Sequence, residues 1–534
     1  MPLPLSARVV GVGLAVALGV ATVVPSAGAT MRQPDRRQSP AASATSDAAQ
    51  ARATLAAAQG LLATGTTGAQ RRSASTSGSD ATMVLTQLAH SLGDLSTSDR
   101  AAARRVLARP GYGDAPAFSS EHAYTVPEAT PACDTDVCVH YVTSTADSVA
   151  TASTDGDTVP DYVQQVQGVM AHVWATEITQ MGYTKPRDDS AAADPGPDGR
   201  LDVYLQDLPS GLYGYCAPDT SSAVSSGYCV LDNDYATSEY PQNTPVQNLK
   251  VTAAHEFFHA VQFSYDSRED IWFMEGTAAW MEDQVYDGVN DNRQYLAQSP
   301  LSDPYLPLDF STSTYLPYGN WIFWRFLSEW TGRGSLDYPS IVRQVWSKAR
   351  STYSTNALKQ VLTAHKLTFG RTFTTFGTWN RNPAKYYSEG ASYHAAPLDG
   401  SFKLTTAHKS TGTKVDQDLS HMSHGFIRFT PGASLTGTWR LKVAVNMPNT
   451  VRGSLAQLTV HRPSGAEVSY PVKLTSKGVG AATVSFKRSK VKFVELDLVN
   501  ASTRFTCNQG TDWSCGGVGR DDNLDSTFSA KTFR

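Results

Sequence analysis

The chain has 534 residues, 41% of them hydrophobic, enough for more than one domain with a core of ordinary size. Its net charge of −4 is too small to imply a nucleic-acid partner. Six cysteines fall into three close pairs, Cys133 with Cys138, Cys216 with Cys229 and Cys507 with Cys515. Such usage fits an exported, oxidised chain, and local disulfides are expected rather than a zinc–thiolate site.

Residues 1–29 have the order of a signal peptide: Arg8, an apolar run from Val9 to about Val24, then Ala27-Gly28-Ala29 as a small-residue cleavage site. The apolar run is short of the roughly 20 residues a spanning helix needs. No later segment is apolar and long enough, so the mature protein is expected to be secreted, extracellular or wall-associated, with no membrane partner. Thr30 to about Arg72 is rich in Ala, Ser, Thr, Gln and Arg and is expected to be disordered. From Ala81 to Ala108 the pattern changes. Met83, Leu85, Leu88, Leu92 and Leu95, then Ala103, Val106 and Leu107, predict two short amphipathic helices, with Ser98-Asp99 opening the second and Pro110-Gly111 ending the run.

Val139-His140-Tyr141-Val142 reads as a strand, and a helix is expected from about Tyr162 to Gly182 with Tyr162, Val166, Val169, Val173 and Trp174 on its buried face. Asp155, Asp157 and Asp161, and again Asp194, Asp198 and Asp202, offer oxygen ligands suited to calcium. Neither group has EF-hand spacing, and turns with a helix cap are the plainer reading of each. Leu201 to Leu205 alternates like a strand, followed by the aromatic, glycine-rich Gly211-Leu212-Tyr213-Gly214-Tyr215-Cys216. Gly227 to Asp232 is a further strand.

The next stretch carries chemistry. His255-Glu256-Phe257-Phe258-His259 places two imidazoles four residues apart on one helix face, able to meet one metal ion, with Glu256 beside them to take a proton. A catalytic zinc needs a third protein ligand and an open position. Glu275 follows His259 by sixteen residues, across the polar turn Asp266–Asp270. If a second helix begins near Met274, Glu282 shares the face of Glu275 and is the candidate to orient a ligand histidine, as well as the reserve third ligand, with Asp283 next.

Trp272-Phe273-Met274-Glu275-Gly276-Thr277-Ala278 resembles the segment around the third ligand in aminopeptidase-N-like enzymes, and His255-Glu256-Phe257-Phe258-His259-Ala260-Val261 is similar to the first helix of thermolysin. Both belong to the gluzincins, zinc peptidases with two histidines and a downstream glutamate. More loosely, His140 to Tyr387 resembles a family of secreted bacterial metalloproteases. Met274 stands where gluzincins often carry asparagine, and the spacing to the glutamate is shorter, so the subfamily stays open. Gln262 and Tyr265 occupy positions where a metzincin needs Gly and His.

The resemblance implies an α+β zincin-like catalytic domain, with an N-terminal mixed sheet and a helical C-terminal lobe, over residues 116–396. It implies zinc on His255, His259 and Glu275, and peptide hydrolysis by a zinc-activated water with Glu256 as general base. Substrate would lie along an edge strand, for which Leu201–Leu205 is the first candidate and Gly227–Asp232 the second. Tyr318, at the start of the aromatic helix Trp321–Trp330, resembles an oxyanion-donating tyrosine, with Tyr315 as competitor. Residues 30–115 are read as a propeptide covering the site until removed, the alternative being a plain N-terminal arm. No G-x-M-E-N-type motif lies between Pro186 and Lys250, which favours an endopeptidase over an aminopeptidase.

From about Pro397 short alternating runs such as Gly425–Phe429, Thr438–Val445, Gln457–Val460 and Lys492–Val499 predict an all-β sandwich over residues 397–534. Residues 400–534 hold 18 Lys and Arg against 9 Asp and Glu, which suits either contact with an anionic cell-wall polymer or a plain structural appendage. A different class of reading remains beside the peptidase: an inactive wall-associated binding protein on a metallopeptidase scaffold.

Overall fold

The computed structural model describes residues 40–63, 81–111, 120–193, 195–209, 211–311, 315–332, 340–409 and 413–534. The signal-peptide reading of 1–29 and Asp194 lie outside them. Ser46–Arg534 forms one compact unit; of the other, Met1–Thr45, only the first residues of helix α1 are described.

Helix α1 (Pro40–Leu62) occupies a stretch expected to be disordered. Its composition is rich in alanine, the best helix former, and Ala51, Leu55, Ala58 and Leu62 recur on one face and are buried. Helices α2 (Ala81–Ser91) and α3 (Thr97–Val106) match the two expected amphipathic helices, with the Ser96 hydroxyl capping α3 at Asp99 N–H.

A five-stranded mixed sheet follows, in the order β1-β2-β3-β5-β4: β1 (Ala132–Cys133), β2 (Val137–His140), β3 (Leu201–Gln206), β4 (Gly214–Pro218) and β5 (Gly227–Asp232). Strands β2, β3 and β5 are parallel; β1 and β4 pair antiparallel at the two edges. Alternation splits the residues between two cores. Val203, Leu205, Cys216, Cys229 and Leu231 face the helices on one side, while Tyr204, Tyr215, Ala217, Tyr228 and Val230 face α1 to α3 on the other. Burial on both faces hides the polar half of the pattern. The edge-strand expectation is corrected here. Leu201–Leu205 and Gly227–Asp232 are both internal; the edges are β1 and β4, and the one that packs beside helix 245–263 is β4, which begins inside the glycine-rich Gly211–Cys216.

Helix α4 (Asp161–Trp174) ends eight residues before Gly182 and continues as a π turn, Ala175–Gln180. Helix α5 (Pro245–Phe263) opens with a capping box between Thr244 and Gln247 and Pro245 in its first turn. Helix α6 (Ile271–Val285) packs against it, and from Leu249 and Ile271 onward the two are almost wholly buried. Short α7 (Leu316–Gly319) and α8 (Trp321–Gly332), α9 (Ser340–Ala349), α10 (Ser354–Ala364) and α11 (Phe369–Arg381) complete the helical region around an aromatic core that includes Trp272, Trp280, Trp321, Trp324 and Trp346.

The C-terminal region is β-rich. One sheet has the order β11-β10-β13-β8-β6, from β6 (Gly400–Leu404), β8 (Ser423–Pro431), β10 (Ser454–His461), β11 (Glu467–Pro471) and β13 (Phe493–Asn500). The other has the order β12-β9-β16-β7, from β7 (Thr413–Leu419), β9 (Arg440–Asn446), β12 (Val479–Ser485) and β16 (Leu524–Phe533), with β14 (Phe505–Thr506) and β15 (Val518–Gly519) as a separate ribbon. Ile427, Phe429, Leu441, Val443, Leu496 and Leu498 share a core between the sheets. On the opposite face of β13, Glu495 binds Arg381 of α11 at 2.7 Å, so the β-rich region is docked to the helices. All three disulfides are the expected local ones: Cys133–Cys138, Cys216–Cys229 and Cys507–Cys515.

Candidate metal centre

Helix periodicity and a short connection build this site. His255 and His259 lie one turn apart on α5 with ring centroids 4.8 Å apart, and α6 brings Glu275 against them. Glu275 Oε2 is 3.3 Å from His255 Nε2, and Oε1 is 3.9 Å from His259 Nε2. The three residues are fully buried and converge as a group able to hold a metal ion. Donor atoms around a tetrahedral ion with bonds of about 2.1 Å stand about 3.4 Å apart, so the observed spacing fits. Neither oxygen of Glu275 accepts a hydrogen bond from a described residue, an arrangement that costs free energy unless a cation meets it.

The far nitrogens of both histidines are held. His255 Nδ1 is 2.7 Å from Oε1 of Glu282, the carboxylate whose spacing made it the candidate to orient a histidine. His259 Nδ1 is 2.7 Å from Gln262 Oε1. The Gln262 amide donates to Met274 O at 2.9 Å and to Thr277 Oγ1 at 3.2 Å, which turns its oxygen toward His259. Each Nδ1 therefore carries the proton and each Nε2 faces Glu275, the tautomer a metal ligand needs. Burial pulls the His255 pKa down, but Glu275 and Glu282 outweigh it and hold it well above the ordinary value. Burial pushes Glu282 up to about 7 against the pull of His255.

Sequence reasoning missed Gln262. It lies three residues after His259 on the same helix face, and that spacing was the available signal. Thr82 of α2 was missed as well. Its hydroxyl donates to Glu256 Oε2 and accepts from the Cys216 N–H, both at 2.9 Å. No local pattern reports a contact across 174 residues. Gly214 in β4 lies where a Cβ would stand 2.8 Å from Thr252 Cγ2 and 3.1 Å from Glu256 Cγ, so only glycine lets the edge strand approach α5 this closely.

Tyr318 is placed beside the centre, its ring stacked 5.8 Å from that of His255, whereas Tyr315 is 44% exposed. Two glycines permit this. A Cβ on Gly319 would stand 1.9 Å from Gln298 O, and one on Gly276 would stand 3.0 Å from Trp324 Nε1 and 3.2 Å from Pro317 O. Asp283 turns away to pair with Arg325 and is not a reserve ligand.

The acidic turns are engaged elsewhere. Asp155 and Asp157 accept from Gln164 Nε2 at 2.9 and 2.8 Å, and Asp161 accepts from Thr154 N–H. Asp198 pairs with Arg200 at 2.5 Å, and Asp202 with Arg109 and His140 at 2.7 and 2.9 Å. Two further acidic groups, Asp207 with Asp232 and Glu239, and Asp283 with Asp287 and Glu389, lack histidine and include exposed members.

No family model matches the chain, and no curated protein matches it. Among solved structures, the pre-peptidase C-terminal domain of a Bacillus anthracis collagenase aligns at 12% identity over 25% of this chain and 97% of its own, with a TM-score of 0.16. A family GH115 4-O-methyl-α-glucuronidase aligns at 9% identity over 66% of this chain and 53% of its own, with a TM-score of 0.13. Likenesses of that size carry no argument about fold or function.

Proposed function

We propose that the chain is an exported zinc-dependent peptidase of gluzincin type with an endopeptidase bias. One observation carries the reading: two buried histidines and a buried glutamate converge within reach of one ion, with both outer histidine nitrogens fixed by Glu282 and Gln262. Among the described residues no helix is long and apolar enough to cross a membrane, and three disulfides fit an oxidising compartment.

His255, His259 and Glu275 would hold the ion. Bound zinc supplies Lewis acidity, polarising a carbonyl and bringing the deprotonation of water to about pH 7. The residues of the chain do the rest. Glu256 takes the proton from the attacking water and delivers it to the leaving amine. Tyr318 is the candidate donor to the developing oxyanion. The β4 edge offers main-chain hydrogen bonds to an extended peptide, which is why a peptide suits the cleft better than a compact ligand.

The test is Glu256→Gln assayed on a peptide library with and without chelator, before and after limited proteolysis. The variant is expected to keep its metal and lose about a hundred- to ten-thousand-fold in cleavage. Turnover equal to the parent's would refute the assignment. A parent that holds metal and cleaves nothing would favour a binding protein.

A further inference from the structure

Thr82 is an odd residue to find where it is. An N-terminal arm that only packed would lay apolar groups on the sheet, as Val84, Leu85 and Leu88 of α2 do against Tyr215, Ala217, Tyr228 and Val230. The first turn of α2 instead inserts a hydroxyl between two polar groups of the candidate site. Cys216 and Cys229 face each other across β4 and β5 with Cα atoms 4.0 Å apart, the spacing of a non-hydrogen-bonded pair, so the Cys216 N–H points outward from the open edge. Thr82 Oγ1 takes that donor and gives its own proton to Glu256 Oε2. These are the outward amide a bound peptide would use and the carboxylate that must receive a proton from water.

We propose that Ala81–Gly111 is an inhibitor carried in cis: the Thr82 hydroxyl takes the hydrogen-bonding positions that an incoming peptide and its attacking water need, and Arg109 is the buried anchor that keeps the segment seated. The inference rests on the peptidase reading and names how that site is regulated. Arg109 is 3% exposed, and its guanidinium reaches Asp202 at 2.7 Å, Asp189 at 2.8 Å and Asp219 at 2.9 Å while lying 5.2 Å from the centre of the Tyr228 ring. His140 stands behind Asp202, bridging it to Glu128. Three carboxylates around one guanidinium make the anchor strong while it is in place. They also make its loss costly, because the carboxylates are then buried together without their cation. Between the two ends, His90 Nδ1 meets Ser221 O at 3.1 Å and Nε2 meets Ser267 Oγ at 3.1 Å, tying the last turn of α2 to the connection before α6. The segment is therefore fastened by polar contacts at its start, middle and end, and one of them is the proposed general base.

The experiment uses the full chain carrying Arg109→Gln or Arg109→Glu. Three readouts run in parallel: hydrogen exchange of peptides covering residues 81–91 and 214–218, the rate of zinc loss to a chelator, and cleavage of a peptide library. Both variants are expected to exchange roughly a hundredfold faster in both segments, since a buried ion network has been broken. With the cover open a chelator can reach the ion, so zinc removal should accelerate although the ligand set is intact, and cleavage should rise at least about tenfold, with a synthetic peptide of residues 81–111 restoring inhibition. Faster exchange in both segments with zinc loss and cleavage unchanged would overturn the proposal. Faster exchange and faster zinc loss with no peptide cleaved by any form would leave the occlusion standing and refute the peptidase reading instead. If the Arg109 variants do not fold, Thr82→Val keeps the side-chain shape and removes both hydrogen bonds. It is expected to raise exchange at 214–218 and cleavage several-fold, and an unchanged profile overturns the role of the hydroxyl.

Discussion

Gln262 offers the sharpest test of how the centre is preorganised. Replacing it with Leu keeps the volume roughly constant but removes the acceptor for His259 Nδ1, at 2.7 Å, and the donor to Met274 O, at 2.9 Å. All three groups are buried, so no water is at hand to substitute. A buried hydrogen bond is worth about 1 kcal/mol net, and leaving the Nδ1–H unsatisfied adds about 1–3 kcal/mol. Part of that loss is shared by the metal-free protein, in which the same Nδ1–H is buried. With about 1.4 kcal/mol per tenfold in affinity, the expected loss in zinc affinity is about 10–100-fold. The assay is competition with a zinc-selective fluorescent chelator, with the fold checked by circular dichroism. Gln262→Glu, which keeps an oxygen for Nδ1–H, should lose much less. A folded Gln262→Leu variant that binds zinc as tightly as the parent would refute the claim that this amide sets the tautomer.

Two further predictions concern stability. Glu177, in the π turn, is wholly buried with neither oxygen hydrogen-bonded to a described residue, and burial holds its pKa well above the ordinary carboxylate value. A carboxyl with a raised folded pKa costs stability above its unfolded pKa, so Glu177→Gln should raise the unfolding free energy at pH 7 by about 1–3 kcal/mol, seen as a higher melting temperature, with the gain shrinking toward pH 4; a variant less stable at pH 7 would show that the carboxylate has an ionic partner. His421 is buried between Asp309, at 2.7 Å from Nε2, and Asp522 on Nδ1, and although burial opposes it, these carboxylates push it up to about 10. That contribution is complete below the unfolded pKa of about 6.5 and is lost as pH rises through about 10. His421→Gln should therefore cost about 3–5 kcal/mol at pH 6, where one partner of a buried ion network has been removed, and its melting curve should change less than the parent's between pH 8 and 10.5; parallel curves would refute it.

What the sequence disclosed about the site follows from range. His255, Glu256, His259, Glu275 and Glu282 all lie within two consecutive helices, so spacing alone brings them to one face, and Glu282 binds His255 as its position suggested. The alternating runs of the β-rich region were legible for the same reason. In β9, Leu441, Val443 and Val445 are buried while Arg440 and Lys442 are exposed, a plain period of two. The sheet edge was not legible. Strands β3, β4 and β5 are buried throughout, so no residue marks which of them has an unpaired side. Helix α1 was not legible because its buried face, Ala51, Thr54, Leu55, Ala58 and Leu62, carries only two large apolar residues in an alanine-rich stretch.

The division of labour between the two cores bears on how such a site is restrained. His255, His259 and Glu275 sit on helices fixed by packing among Trp272, Trp280, Trp324 and Trp346, and Glu282 and Gln262 of the same two helices orient the histidine rings. The other core, where α1 to α3 meet Tyr204, Tyr215 and Tyr228, is smaller, and the ends of its cover are held by Thr82 and Arg109 through polar contacts. Polar anchors can be released by cutting the chain or replacing one partner, whereas an interdigitated aromatic core cannot. A cover of that kind can leave without disturbing the metal ligands. The opposite arrangement, with ligands on the cover and the general base in the core, would lose the metal on opening. Because Thr82 contacts Glu256 while His255, His259 and Glu275 all come from α5 and α6, opening exposes an intact metal-ligand set.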